Sequence, residues 1–125
     1  MLIILNKRVP KYGRAVRRFV KWLNQQDELE GLGKIPITIL ADAILPDDIL
    51  LRMGEEDDIE EVYGVFDPNR NEIFVCAGAM DCTLTLEILA HEVYHAIQYH
   101  KGVNFFELTA DAWCHNKMVT YQAGF

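Results

Sequence analysis

The chain has 125 residues and a formal net charge of −7, with half of its residues hydrophobic and a quarter charged. That length suits one hydrophobic core and not two, and the charged fraction is ordinary for a globular domain. The acidic balance argues against a nucleic-acid surface, which needs a clustered basic face, so no nucleic-acid partner is expected.

Leu2 to Leu5 reads as a short buried strand. It is too short for a signal peptide or a membrane span, so no membrane association is expected. Pro10 opens a helical segment to about Glu28, in which Ala15, Val16, Phe19, Val20 and Leu23 recur at helical spacing. Lys11, Arg14, Arg17, Arg18 and Lys21 fall on the same segment and read as its solvated face. Gly31 and Gly33 close the helix, and Ile35 to Leu40 reads as a second strand. Residues 41–61 read as a loop, with the acidic run Glu55-Glu56-Asp57-Asp58 and Glu60-Glu61 solvated. Val62 to Phe66 and Glu72 to Cys76 read as strands. The turn chemistry of Asp67-Pro68-Asn69-Arg70-Asn71 joins them as a hairpin. Thr83 or Thr85 caps a helix running to about Lys101, which Gly102 ends. Asn104 begins a last helix that continues to about Gln122. The expected order is β-α-β-β-β-α-α, one α+β domain over residues 1–125. Cys76, Cys82 and Cys114 form neither a C-x-x-C pair nor a disulfide framework, which fits a reducing cytoplasm as the expected compartment.

The chemistry concentrates in Leu89-Ala90-His91-Glu92-Val93-Tyr94-His95-Ala96. In a helix His91 and His95 stand one turn and about 40° apart, so both imidazoles project from one stripe, as two ligands of a zinc ion require. Glu92 points roughly 100° away from His91; it is badly placed as a ligand but can reach a water held by the ion. The competing reading is a capped or solvated histidine pair. The apolar surroundings, Ile88, Leu89 and Ile97 with Ala90 and Ala96, favour a site.

A catalytic zinc takes three protein ligands and leaves a position for water. His100 lies about 180° round the helix from His91 and also breaks the spacing of a third histidine six residues after the second. It reads as an exposed residue at the helix C-terminus. Glu107 is the better third ligand, although Asn104 and Glu107 also resemble a capping box that needs no metal. Glu107, Asp111, Cys114, His115 and Met118 fall within about 100° on a helical wheel, and a polar set on a buried face needs partners. Asp111 stands one turn beyond Glu107, where it can orient a ligating histidine through the free ring nitrogen, or remain a solvated carboxylate. Cys114 could be a softer ligand but reads better as a small buried hydrophobe.

His91-Glu92-x-x-His95 followed by Glu107-Leu108-Thr109-Ala110-Asp111 resembles the gluzincin class of zinc metallopeptidases. Size and the wording of both segments are similar to the compact ImmA/IrrE-type and minigluzincin-like proteins, often encoded by phages and mobile elements. The likeness covers roughly residues 62–116. It implies Zn²⁺ held by His91, His95 and Glu107, with Asp111 supporting a histidine. It also implies a small zincin-like fold: a twisted sheet with N-terminal, active-site and C-terminal helices, and a cleft along an edge strand. Either hairpin strand could supply that edge, where a peptide or protein substrate binds by strand addition. The chain departs from the class in two respects. Eleven residues separate His95 from Glu107, a short connection, and no further DNA-binding or sensing domain is expected.

The expected activity is peptide hydrolysis through a zinc-activated water, with Glu92 as general base. His115 is the first candidate for donor to the oxyanion, followed by Tyr121 and Tyr63, each of which reads more simply as an amphipathic residue at the core's edge. The alternative is a zinc-stabilised module that binds peptide or protein without cutting it. Glu92 separates the two, because a structural site has no use for a base.

Overall fold

The structure, a computed structural model, describes residues 1–52, 63–103 and 107–124, with the backbone alone at 50–52 and 107. The elements are β1 (Leu2–Ile4), α1 (Gly13–Leu23), a 3-10 turn (Asp27–Leu29), β2 (Ile35–Leu40), α2 (Asp47–Arg52), β3 (Gly64–Asp67), β4 (Glu72–Cys76), α3 (Cys82–His100) and α4 (Glu107–Ala123). The fold is α+β, as the sequence suggested, with a helix more than expected.

The strands form one mixed sheet in the order β1-β2-β4-β3. β1, β2 and β4 are mutually parallel, and β3 runs antiparallel to β4. β4 is therefore interior and β3 is the edge beside it, which decides between the two hairpin strands. The hairpin turn is held by Asp67, whose Oδ1 accepts from the Asn69 N–H at 3.0 Å. Asn71 closes it at φ 55, the left-handed region that asparagine tolerates.

The main core lies between one sheet face and the helices. Val16, Phe19, Val20 and Leu23 of α1 pack with Ile35, Ile37, Ile73 and Val75 of the sheet and Leu89, Val93 and Ile97 of α3. The opposite sheet face buries Phe74 and Cys76 under Leu45 and Ile49. That second cluster explains α2, placed where a loop was expected: its short sequence has little helical periodicity of its own, and packing on the sheet holds it. The acidic run from Glu55 to Glu61 lies outside the described residues.

Two helix limits also differ from expectation. α1 stops at Leu23 rather than near Glu28, and Asn24 follows as its C-cap. Its side chain accepts from Leu2 N–H at 2.7 Å and donates to Leu2 C=O at 3.1 Å, holding β1. Neither Thr83 nor Thr85 caps α3. Asp81 does, accepting from Leu84 N–H at 2.8 Å, and the Thr85 hydroxyl donates back to Asp81 C=O at 2.8 Å. The other end follows expectation: Gly102 at φ 71 donates to Tyr99 C=O and Val103 to Gln98 C=O, the paired bonds of a Schellman cap. Among the described residues no helix is long and apolar enough to cross a membrane.

Candidate metal centre

α3 crosses the sheet with Leu89, Val93 and Ile97 fully buried, so its next stripe, bearing His91, Glu92 and His95, lies at the core's margin. His91 is half-buried; Glu92 and His95 are 9 % and 7 % exposed. Each of the three offers a ligand atom, and these atoms all lie within 4.8 Å of one another, a group that could hold a metal ion.

The outer ring nitrogens decide what the inner ones can do. His91 Nδ1 stands 3.0 Å from Asp111 Oδ1. His95 Nδ1 stands 3.0 Å from Gln98 Oε1. Both partners are side-chain oxygens that can accept, so each contact suits the tautomer with N–H at Nδ1 and the lone pair at Nε2. In that tautomer the two Nε2 atoms, 3.0 Å apart, face each other with their lone pairs. Such a pair repels unless a cation stands with it, either a proton or a metal ion. Two nitrogens bound to one tetrahedral ion at about 2.0–2.1 Å lie roughly 3.3 Å apart, so the pair is close to the spacing of ligands already. The donor set fits a metal.

Asp111 reaches His91 from α4 although its own side chain is 66 % exposed. Sequence reasoning missed Gln98. It is 3 % exposed and three residues after His95, on the same helical face, which was the available signal. It missed Gly64 as well. A Cβ there would lie 2.6 Å from Ile88 Cγ2 and 3.3 Å from Glu92 Cγ, so only glycine seats the edge strand this closely over Glu92.

Of the remaining candidates, His100 is exposed and bonded at 2.8 Å to Asn71 Oδ1, outside the metal group. His115 is exposed on α4 and lines a depression with His91 and Asp111. Tyr121 belongs to the α1 side of the molecule. It packs on Phe19 and Trp22 with ring centroids 4.8 and 5.2 Å away, and burial raises its hydroxyl pKa. Tyr63 packs beside the core just before β3, its C=O accepting from Cys76 N–H at 2.7 Å. Cys114 is buried, and its thiol donates to Glu87 C=O at 3.1 Å. Burial, then the charges of Glu87 and Asp111, push that thiol up to about 11, so at neutral pH it is a protonated small hydrophobe. The side chain of Glu107 and the whole of Asn104 lie outside the described residues. The backbone places Glu107 at the first residue of α4, one turn before Asp111.

No protein-family model matches this chain, and comparison with curated proteins and with solved structures gave no significant match.

Proposed function

We propose that the chain is a zinc-dependent metallopeptidase of gluzincin type, hydrolysing peptide bonds at the His91–Glu92–His95 group. The observation that carries this reading is the approach of two imidazole Nε2 atoms to 3.0 Å, each ring met from behind by a side-chain oxygen, beside a buried carboxylate. A site meant only to brace the fold does not need that carboxylate.

His91, His95 and Glu107 would hold Zn²⁺; Asp111 is one turn from Glu107 on α4, so its bond to His91 brings that end of the helix to the site. Bound there, Zn²⁺ supplies Lewis acidity toward a water and a substrate carbonyl. An extended peptide lies along the edge of β3, which Gly64 lets sit against Glu92. Glu92 takes a proton from the attacking water on a carboxylate oxygen as the C–O bond forms, then delivers it to the departing amine as C–N breaks. His115, which lines a depression with His91, would donate toward the carbonyl oxygen.

Metal analysis of the purified protein, with cleavage of a diverse peptide library by wild type and Glu92→Gln, tests this. The expected result is bound zinc in both, with cleavage lowered at least about 100-fold in the variant, the low end for a general base. Undiminished cleavage by Glu92→Gln would sink the mechanism. Stoichiometric zinc in a wild type that binds peptides and cuts none returns the chain to the class of binding modules.

A further inference from the structure

A depression of about 210 Å³ opens directly beside the metal group, between α3 and α4. One wall is the stripe Leu84, Glu87, Ile88 and His91 of α3; the other is Asp111, Cys114 and His115 of α4. The two sets recur at i, i+3, i+4 spacing, so this depression lies in the seam between two packed helices. Cys114 lies at its buried side, and the thiol's bond to Glu87 C=O ties the walls together.

The lining combines two chemistries. Leu84, Ile88 and Cys114 offer apolar surface, and Glu87 and Asp111 bring two carboxylates beside the His91 and His115 rings, with no lysine or arginine among the described lining residues. An aliphatic or aromatic occupant would cover the apolar part but strip water from two carboxylates without replacing it. An acidic occupant would meet like charge. A side chain with an apolar stem and a cationic head satisfies both at once, the stem along Leu84 and Ile88 and the head at Glu87. The volume admits one such chain.

We propose that this depression binds a lysine or arginine side chain of the substrate, from a residue adjacent to the bond that is cut. The assignment rests on the hydrolase reading above, because it takes the His91 side of the seam as the reaction site. It makes Glu87, a residue outside the metal group, the determinant of specificity through its charge.

The test uses a peptide library varied on either side of the cut, with the wild type, Glu87→Gln and Glu87→Lys, each checked for unchanged zinc content. The wild type is expected to favour lysine or arginine over leucine at one adjacent position by about tenfold in kcat/KM, the scale of one partly exposed charged contact. Glu87→Gln should flatten that preference and Glu87→Lys should turn it toward glutamate. A wild type that prefers leucine or phenylalanine there, or a preference for lysine that Glu87→Lys leaves intact, overturns the proposal. Equilibrium binding separates this from failure of the hydrolase reading. The probe is an N-acetylated alanine hexapeptide carrying one lysine, compared with its norleucine counterpart on the zinc-loaded protein. Tighter binding of the lysine peptide that Glu87→Lys abolishes upholds the pocket even where no bond is cut; equal binding of the two peptides refutes it.

Discussion

The two halves of the candidate metal centre are built by different means. His95, Glu92 and Gln98 all belong to α3, and none is more than 9 % exposed. Their mutual geometry follows from one helix and the core it lies on. His91 instead takes its support from Asp111 on another helix, and the two side chains are 18 % and 66 % exposed. The inner half is thus a product of secondary structure and burial, while the outer half exists only once α4 has docked. Mutations should divide along the same line: the inner half should report on folding and metal together, the outer half on metal alone.

The largest effect is expected from Gln98→Leu. It removes the acceptor of His95 Nδ1 at a buried position, which should cost about 1–3 kcal/mol of stability even in the metal-free protein. Metal affinity should fall about 10–100-fold as well, since the ring loses the group that fixes its tautomer. Denaturant unfolding of the metal-free protein and competition with a chelator measure the two. An unchanged metal-free stability would break the distinction, because it would mean that the inner half is held no more firmly than the outer.

The same division decides what could be read before the structure was seen. β2 and β4 have the limits that the sequence suggested, because strand alternation and the Asp67–Asn71 turn chemistry are local signals. The stripe of His91 and His95 is equally local. α2 was hidden because its cause is the apolar face of β4 rather than its own pattern. The cap of α3 was misread because Thr83 and Thr85 are both good capping residues in isolation. What moves the start to Asp81 is the chain before it. Gly78 N–H donates to Asp42 C=O at 3.0 Å, so close to β2 that a Cβ at Gly78 would lie 2.3 Å from Ala41 O. Asp111 was reachable by helical wheel and by resemblance, yet its contact with His91 depends on the position of α4. Tyr121 lies in the core, the simpler of the two readings open to it, but which neighbours its helix face meets is a tertiary fact.

Asp111→Ala should sharpen the contrast from the outer side. A carboxylate that is 66 % exposed contributes little to folding, so stability should change by no more than about 0.5 kcal/mol. Metal affinity should still fall by about tenfold or more, as for other carboxylates that support a ligating histidine. Chelator competition reads the second quantity and thermal unfolding of the metal-free protein the first. A stability loss as large as that of Gln98→Leu would place Asp111 in the framework and not at its margin.

The smallest effect concerns what else holds α4 in place. Lys117 Nζ lies 2.8 Å from Glu28 Oε2 and donates to Gln26 Oε1 at 3.0 Å, while Trp113 Nε1 donates to Glu28 Oε2 at 3.3 Å. Burial raises the Glu28 pKa, but the bond and charge of Lys117, then the bond from Trp113, more than offset it and the net direction is down. A carboxyl lowered in the folded state stabilises the fold above its unfolded value, about 4.3, and that contribution is lost as pH falls through the folded value. The pair is partly exposed, so Lys117→Met should cost less than about 1 kcal/mol at pH 7. The gap to wild type should close in acid, as read by denaturant unfolding at pH 7 and at about pH 3.5. Metal affinity should drop far less than in Asp111→Ala, because the packing of α4 on α3 remains and only a clamp at its far side is lost. An equal drop would show that the outer half depends on the placement of the whole helix, and that the Asp111 carboxylate is its most visible consequence rather than its cause.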